Sequence, residues 1–227
     1  MHSTLSRRLA SEAVGTALLL AAVIGSAVMA DRLCGGNAGL ALLANALATG
    51  GALVALIVTF GPISGAHLNP VVSLAAASQG ELSWGEAWAF VGAQQLGAVA
   101  GVALAHLMFG APLVAPSTHE RSGAGVFVGE LVATFTLLLV VRGVTRRPTP
   151  WAPAAVAATI VAGYWFTAST SFANPAASVA RALSDTVAGI RPLDVPGFVG
   201  AELLGALAAT LFFRWLSPPA PDGPPTP

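Results

Sequence analysis

Two Asn-Pro dipeptides lie far apart in the chain, and each is followed by two small or β-branched residues and a serine. Asparagine is a favoured N-cap of an α-helix, and proline fits the first helical position, where its missing N–H costs no hydrogen bond. Each dipeptide therefore predicts the start of a helix, although a single Asn-Pro could equally begin a loop turn. The two motifs consist of Asn69, Pro70, Val71, Asn174, Pro175 and Ala176.

Two helix starts that face each other would create an environment suited to uncharged solutes. The side-chain amides of Asn69 and Asn174 can donate hydrogen bonds to a passing water or hydroxyl group. The positive ends of two helix dipoles repel cations, and a water held by two donors is poorly placed to relay a proton. This chemistry requires other elements that bring the two motifs together.

An internal repeat supplies such elements. Three pairs of segments match in the same order, so the chain is predicted to contain two repeats, at about 9–109 and 126–216, within one domain of residues 1–216. The matched pairs are Glu12–Thr16 with Glu130–Thr134, Asn69–Ser73 with Asn174–Ser178, and Gly92–Ala98 with Gly200–Ala206.

Composition places these repeats in a membrane. Of the 227 residues, 55% are hydrophobic and only 9% are charged, whereas soluble domains carry about 25% charged residues. Six apolar runs approach the length of about 20 residues that a helix needs to cross a bilayer. The predicted spans are 9–30, 39–60, 85–109, 126–141, 152–166 and 195–216.

Two further apolar segments, at about 68–78 and 172–183, contain the Asn-Pro motifs and are too short to cross. Segments of this length are typical of re-entrant structure. Each repeat has three spans, an odd number, so the second repeat inserts upside down relative to the first. The two short segments are therefore expected to enter from opposite faces and meet near the midplane, which is where solutes pass in inverted-repeat proteins.

Arginine placement predicts the orientation, because the positive-inside rule assigns the arginine-rich side to the cytoplasm. Both termini are then cytoplasmic, and the Pro-rich tail 217–227 is expected to be disordered. Zero formal net charge argues against nucleic acid, and one cysteine with four scattered histidines predicts no metal site and no cofactor. The arginines on the predicted cytoplasmic side are Arg7, Arg8, Arg142, Arg146, Arg147 and Arg214.

The segments Ser64–Pro70 and Phe172–Ala176 resemble the two signature motifs of the aquaporin (major intrinsic protein) family, and the likeness extends over residues 9–216. The resemblance implies an all-α membrane protein, with an inverted-repeat bundle of six transmembrane helices and two re-entrant half-helices. It also implies a homotetramer in the lipid bilayer of a bacterial inner membrane, with one pore in each subunit.

The resemblance suggests roles for three further residues. Glu12 and Glu130 resemble buried acids that hydrogen-bond the half-helix loops; the alternative is an acid that merely lies near a helix N-terminus. His67 precedes the first motif, where it is either a pH-sensitive gate or a histidine hydrogen-bonded within its own loop.

The narrow filter of the family usually contains an arginine after the second motif, and this chain has Ala177 there. By the family's spacing, the other filter positions are Thr49, Ala162 and Ser171. This small and uncharged set predicts a wider opening and resembles bacterial channels associated with arsenic resistance. The expected solutes are water, glycerol-like polyols, and arsenite or methylated arsenicals.

Arg181 lies one helical turn after Ala177 and is therefore on the same face of the second half-helix. We consider two interpretations: its side chain leans back and supplies a positive charge to the outer vestibule, or it pairs with Asp185 or with loop carbonyl groups.

A passive channel accounts for these features. The alternative is a secondary transporter, which also uses inverted repeats and broken helices but needs a coupling-ion site. No acid stands next to either motif. An enzyme is not supported, because the sequence has no nucleophile elbow, zinc motif or phosphate-binding loop.

Overall fold

The structure is a computed structural model that describes residues 3–146 and 149–216, so the predicted tail 217–227 and Arg147 lie outside it. Helices account for all regular structure in these residues, and a short 3₁₀ turn at Pro192–Asp194 precedes the last helix. The helices are α1 (Leu5–Leu33), α2 (Ala38–Ser64), α3 (Pro70–Ala77), α4 (Trp84–Phe109), α5 (Ala124–Arg146), α6 (Ala152–Phe166), α7 (Pro175–Arg181) and α8 (Val195–Leu216).

The predicted spans and short segments are confirmed with one difference. Helices α1, α2, α4, α5 and α8 are long and apolar enough to cross a membrane. Helix α6 has only 15 residues, or about 22 Å at 1.5 Å per residue. It has a proline in its first turn and ends at Thr167, where the backbone becomes extended and leads into the second motif loop. Five helices therefore have full spanning length, whereas α6 has the extent of its predicted run and is shorter than a full span.

The contacts between helices repeat in the two halves. Helix α1 packs along α4, and α5 packs along α8 in the same way, while α2 packs on α6 and joins the halves. The half-helices α3 and α7, one from each half, also contact each other. The all-α bundle predicted from the sequence, an inverted repeat around two half-helices, is therefore confirmed.

Glycines allow the α1–α4 pair to approach at backbone distance. A Cβ atom on Gly97 would overlap the carbonyl oxygen of Ala13, and one on Gly101 would overlap the carbonyl oxygen of Ala17. Gly205 lies equally close to Leu131 in the α5–α8 pair. Small residues four apart commonly permit such close packing between membrane helices.

We expect Gly101→Ala to destabilise the protein by about 1–3 kcal/mol, the usual cost of overpacking, because the added methyl group meets backbone that cannot rotate away. The matched control is Gly92→Ala on the same helix, where no atom of the described residues lies within 4 Å of the new Cβ. Thermal unfolding in detergent measures both. Equal melting temperatures for the two variants would contradict the close-approach explanation.

Candidate solute pore

Both half-helices begin as the Asn-Pro motifs predict. The Asn69 Oδ1 atom accepts from the Val71 N–H at 3.1 Å, and the proline follows in the first turn of α3. In α7 the Asn174 Oδ1 atom accepts from the N–H groups of Ala176 at 3.1 Å and Ala177 at 3.3 Å. The side-chain oxygens are thus used for capping, which leaves the amide nitrogens to face away from their own helices.

Each asparagine also ties its loop to the opposite repeat. Asn69 Nδ2 donates to the carbonyl oxygen of Ala173 at 2.7 Å, and Asn174 Nδ2 donates to that of Leu68 at 2.9 Å. A primary amide has two N–H donors, so each asparagine keeps one that is not used in this link. Both asparagines line the same cavity, where the second donor can meet a solute.

The loops before the half-helices have the same unusual backbone in both repeats. Ala66 and Leu68 have φ values of 47° and 48°, and the equivalent Ser171 and Ala173 have 51° and 48°. Non-glycine residues in this region typically cost about 1–3 kcal/mol each, so neighbouring groups must hold them.

Glu12 and Glu130 hold these loops. Both are fully buried. Glu12 accepts from the N–H groups of His67 at 3.0 Å and Leu68 at 2.7 Å. Glu130 accepts from the N–H groups of Phe172, at 3.2 Å, and Ala173. Of the two interpretations of these acids, the contacts favour loop support.

His67 is hydrogen-bonded within its own segment. Its Nδ1 atom lies 3.0 Å from the Ser73 hydroxyl, and its ring meets the edge of the Phe90 ring. The side chain also lines the main cavity. These contacts favour a histidine that shapes the loop over a free gating group.

Two cavities enter the protein from opposite ends. The first has a volume of about 300 Å³, opens beside Glu81 and Arg142 on the side of the N-terminus, and continues past both asparagines. The second, of about 360 Å³, opens beside Asp31 on the other side. Tyr164 and Arg181 line both cavities, so they mark the boundary between them.

Three of the four predicted filter residues, Thr49, Ser171 and Ala177, line the first cavity. Ala162 does not, and it is exposed on the outside of α6, so that prediction was wrong. The cavity side of α6 carries Ile160 and Tyr164. Ala162 is two residues from each, about 200° around the helix. The spacing rule therefore missed Tyr164, whose hydroxyl lies 3.3 Å from the Thr49 hydroxyl.

Arg181 combines features of both interpretations. Its Nε donates to the carbonyl oxygen of Ala188, and the guanidinium carbon lies 3.3 Å from the centre of the Phe172 ring. Among the described residues, its terminal nitrogens have no protein acceptor and no carboxylate pairs with it. It therefore bonds a loop carbonyl and also borders the cavities.

Asp185, the alternative partner of Arg181, is engaged elsewhere. Its carboxylate accepts from the Thr118 N–H at 2.9 Å and the Thr118 hydroxyl at 3.0 Å. These hydrogen bonds lower the pKa of the Asp185 carboxyl below its ordinary value. The predicted Arg181–Asp185 pair is not formed.

Sequence reasoning missed Arg121, a second cation near the constriction. Its guanidinium carbon lies 5.0 Å from the centre of the same Phe172 ring, and Nε and Nη2 donate to the carbonyl oxygens of Gly189 at 2.7 Å and Val187 at 3.0 Å. No local pattern identifies this residue, because its partners lie in a loop almost 70 residues later.

Gln94 and Glu202 also reach the motif loops. Gln94 Nε2 donates to Glu12 at 2.8 Å, and Glu202 accepts from the Asn174 N–H at 3.0 Å. They occupy matching places in the third pair of repeated segments, which is the signal that could have identified them.

Comparison with known proteins agrees with this architecture. A sequence model of the family described as "Major intrinsic protein" matches residues 1–171. The chain belongs to the major intrinsic protein family. Members of this family are passive membrane channels, so the protein is an integral membrane channel and not an enzyme.

The matches to individual relatives extend over almost the whole chain. The chain is 51% identical over 219 residues to "Aquaglyceroporin AqpS" of Rhizobium meliloti (strain 1021), covering 95% of this chain and 92% of that protein. It is 31% identical to "Aquaporin Z" of Bradyrhizobium diazoefficiens, with 93% of each covered. The fold matches the solved aquaglyceroporin of Plasmodium falciparum with a TM-score of 0.74 at 22% identity, covering 95% of this chain and 98% of that one.

Proposed function

We propose that this channel conducts small uncharged solutes larger than water, in the size range of glycerol-like polyols, arsenite and methylated arsenicals. The observation that carries the proposal is Ala177, a methyl side chain that borders the cavity where the family usually has an arginine. A small side chain at this point leaves more width for a solute with several hydroxyl groups.

The lining suits such solutes. Glycerol and arsenous acid are uncharged, and their hydroxyl oxygens can accept hydrogen bonds. The free amide donors of Asn69 and Asn174 can bind those oxygens in turn, while the apolar side chains of the first cavity, including Leu53 and Ile160, contact the rest of the solute. A pathway that binds weakly at several points favours passage over retention.

Arg181 would exclude cations in this arrangement. Its guanidinium borders both cavities from one turn beyond Ala177, so it can contribute positive charge without occupying the space next to that alanine. The two half-helix dipoles add to the same barrier. The name of the R. meliloti relative, an aquaglyceroporin, supports a pathway wider than that of a water-only channel.

The assembly and orientation expected from the sequence belong to the same proposal: a homotetramer in a bacterial inner membrane, with both termini in the cytoplasm. Large apolar side chains are exposed along α1, α2, α4, α5 and α8, which fits lipid or neighbouring subunits as the surroundings. Exposed tryptophans near helix ends, such as Trp84, Trp151 and Trp215, are typical of membrane interfaces.

Flux into proteoliposomes tests the proposal and separates it from a secondary transporter. We expect glycerol, and arsenite at a pH where it is neutral, to enter at rates that rise linearly with concentration and do not depend on an ion gradient. Empty liposomes and liposomes with the Ala177→Arg variant serve as controls. Saturable flux that requires a gradient would support the transporter instead, and passage of water alone would overturn the wide-filter proposal.

A further inference from the structure

Two hydrogen-bond networks support the motif loops, and they differ at one position. In the first repeat, Gln94 Nε2 donates to Glu12 at 2.8 Å and lies 2.9 Å from the Ser73 hydroxyl. In the second repeat the matching positions are Glu202, Glu130 and Ser178, so a carboxyl group replaces the amide. Where the first network contains one carboxyl group, the second contains two.

The second pair of carboxyl groups is enclosed by protein. Glu130 and Glu202 are both 0% exposed, and they accept hydrogen bonds from two consecutive backbone N–H groups, those of Ala173 and Asn174. Two carboxylates in contact inside a protein repel each other strongly when both are ionised, and such pairs hold a shared proton instead.

The surrounding donors indicate where that proton resides. Both oxygens of Glu130 already accept backbone N–H groups, from Phe172 and Ala173. Glu202 uses only Oε1, which accepts from the Asn174 N–H at 3.0 Å and the Ser178 hydroxyl at 2.7 Å. Its Oε2 is buried and receives no donor from any described residue. Of the four oxygens, Oε2 is the one available to carry a hydrogen atom.

We propose that Glu202 is a neutral carboxylic acid that positions the second half-helix, donating its proton from Oε2 to Glu130 as the Gln94 amide donates to Glu12. In this state Glu130 keeps the negative charge that its two backbone donors stabilise. The Oε1 atom of Glu202 remains an acceptor for Asn174 and Ser178. Glu202 lines neither cavity, so it acts through Asn174 and does not contact solute.

Other charged groups fit this assignment. The positive charge of Arg181 on α7 favours a negative charge on the pair, without an ion pair to either acid among the described residues. Helix α3 presents no titratable side chain to α8. In the 3₁₀ turn before α8, Asp194 is already bound to Arg191 at 2.9 Å and to the Arg121 N–H at 2.8 Å.

The inference predicts a dependence on pH with a definite sign. The stabilisation by the shared proton is complete below the ordinary pKa of a glutamic acid, about 4.3, and declines above it until the folded protein also loses the proton. As the pH rises the proton is lost, two adjacent buried charges repel, and the second loop is released. Flux should therefore fall reversibly on the alkaline side, where the folded protein loses the proton, and stability should already decline with rising pH before that point.

Three variants of the full-length protein test the inference. The conservative variant Glu202→Gln replaces the proposed acid with the amide of the other repeat, and it should retain flux and thermal stability and lose the alkaline decline. Glu202→Leu, which cannot donate or accept, should lose both flux and stability. Gln94→Glu creates the same carboxyl pair in the first repeat, and it should make the channel more sensitive to alkaline pH than the parental protein.

Infrared spectroscopy provides a readout that a purely structural role would not affect. The parental protein at neutral pH should show the carbonyl stretch of a protonated carboxylic acid, shifted in D₂O, and Glu202→Gln should lose it. A band that persists in Glu202→Gln, or a Glu202→Gln protein as unstable as Glu202→Leu, would overturn the inference. The spectrum and the melting temperature do not depend on which solute passes, so they remain informative if the proposed solutes are wrong.

Discussion

Ala177→Arg should reduce glycerol permeability by at least about tenfold, which corresponds to about 1.4 kcal/mol in the barrier, and should reduce water permeability much less. The arginine side chain would extend into the cavity that Ala177 now borders. It would remove width that a polyol needs and a single file of water does not. Stopped-flow light scattering on proteoliposomes measures both rates on the same preparation.

Two control variants separate width from charge and from general damage. Ala177→Met adds volume without charge and should also reduce glycerol more than water. Val179→Met places the same side chain on α7 at an exposed position outside both cavities, and it should leave both rates unchanged. If Ala177→Arg lowered water and glycerol equally, size selection at this position would be refuted.

Arg181→Gln should let cations or protons through a channel that otherwise excludes them. A unit charge about 8 Å from a passing cation, at an effective dielectric constant of about 20, is worth about 2 kcal/mol, or about a thirtyfold change in rate. The guanidinium has no carboxylate partner among the described residues, so its charge is not cancelled by direct contact. A pH-sensitive dye inside proteoliposomes, after an external pH jump, measures the leak.

The control variants distinguish the charge of Arg181 from its bond to the Ala188 carbonyl group. Arg181→Lys keeps the charge and loses the guanidinium geometry, so it should retain exclusion. Arg191→Gln removes a charge from a half-buried loop position paired with Asp194 and lining neither cavity, and it should have no effect on the leak. A leak in Arg181→Lys equal to that in Arg181→Gln would mean that the Ala188 bond, and not the charge, matters.

Features that depend on local pattern or on the repeat could be predicted from the sequence. An Asn-Pro dipeptide specifies its helix start through the asparagine side chain, which caps the helix, and the proline ring, which fixes the first helical residue. Both act within three residues of the start. For Glu12 and Glu130, matched positions in the two repeats implied the same role, and both acids do contact the motif loops.

Features that depend on loop conformation could not be predicted in the same way. Ala162 was placed by counting residues from the second motif, but the intervening segment 167–173 contains three residues with positive φ, so a count of residues does not fix which face of α6 meets the cavity. Arg181 could be assigned to the correct side of α7, but its acceptor, Ala188, belongs to a loop without a recognisable pattern. Glu202 could have been found, because Gln94 marks its position in the other repeat.

The two amide-to-carbonyl links between the loops have a consequence for how the protein folds. Asn69 is bound to a residue 104 positions later, and Asn174 to one 106 positions earlier. Contacts at such separation form only after the intervening chain is in place, so the first motif loop has Glu12 to hold its backbone but lacks its link to the second loop while the second repeat is still being inserted. The spanning helices must therefore assemble first, and closure of the two loops onto each other completes the pore as the last step.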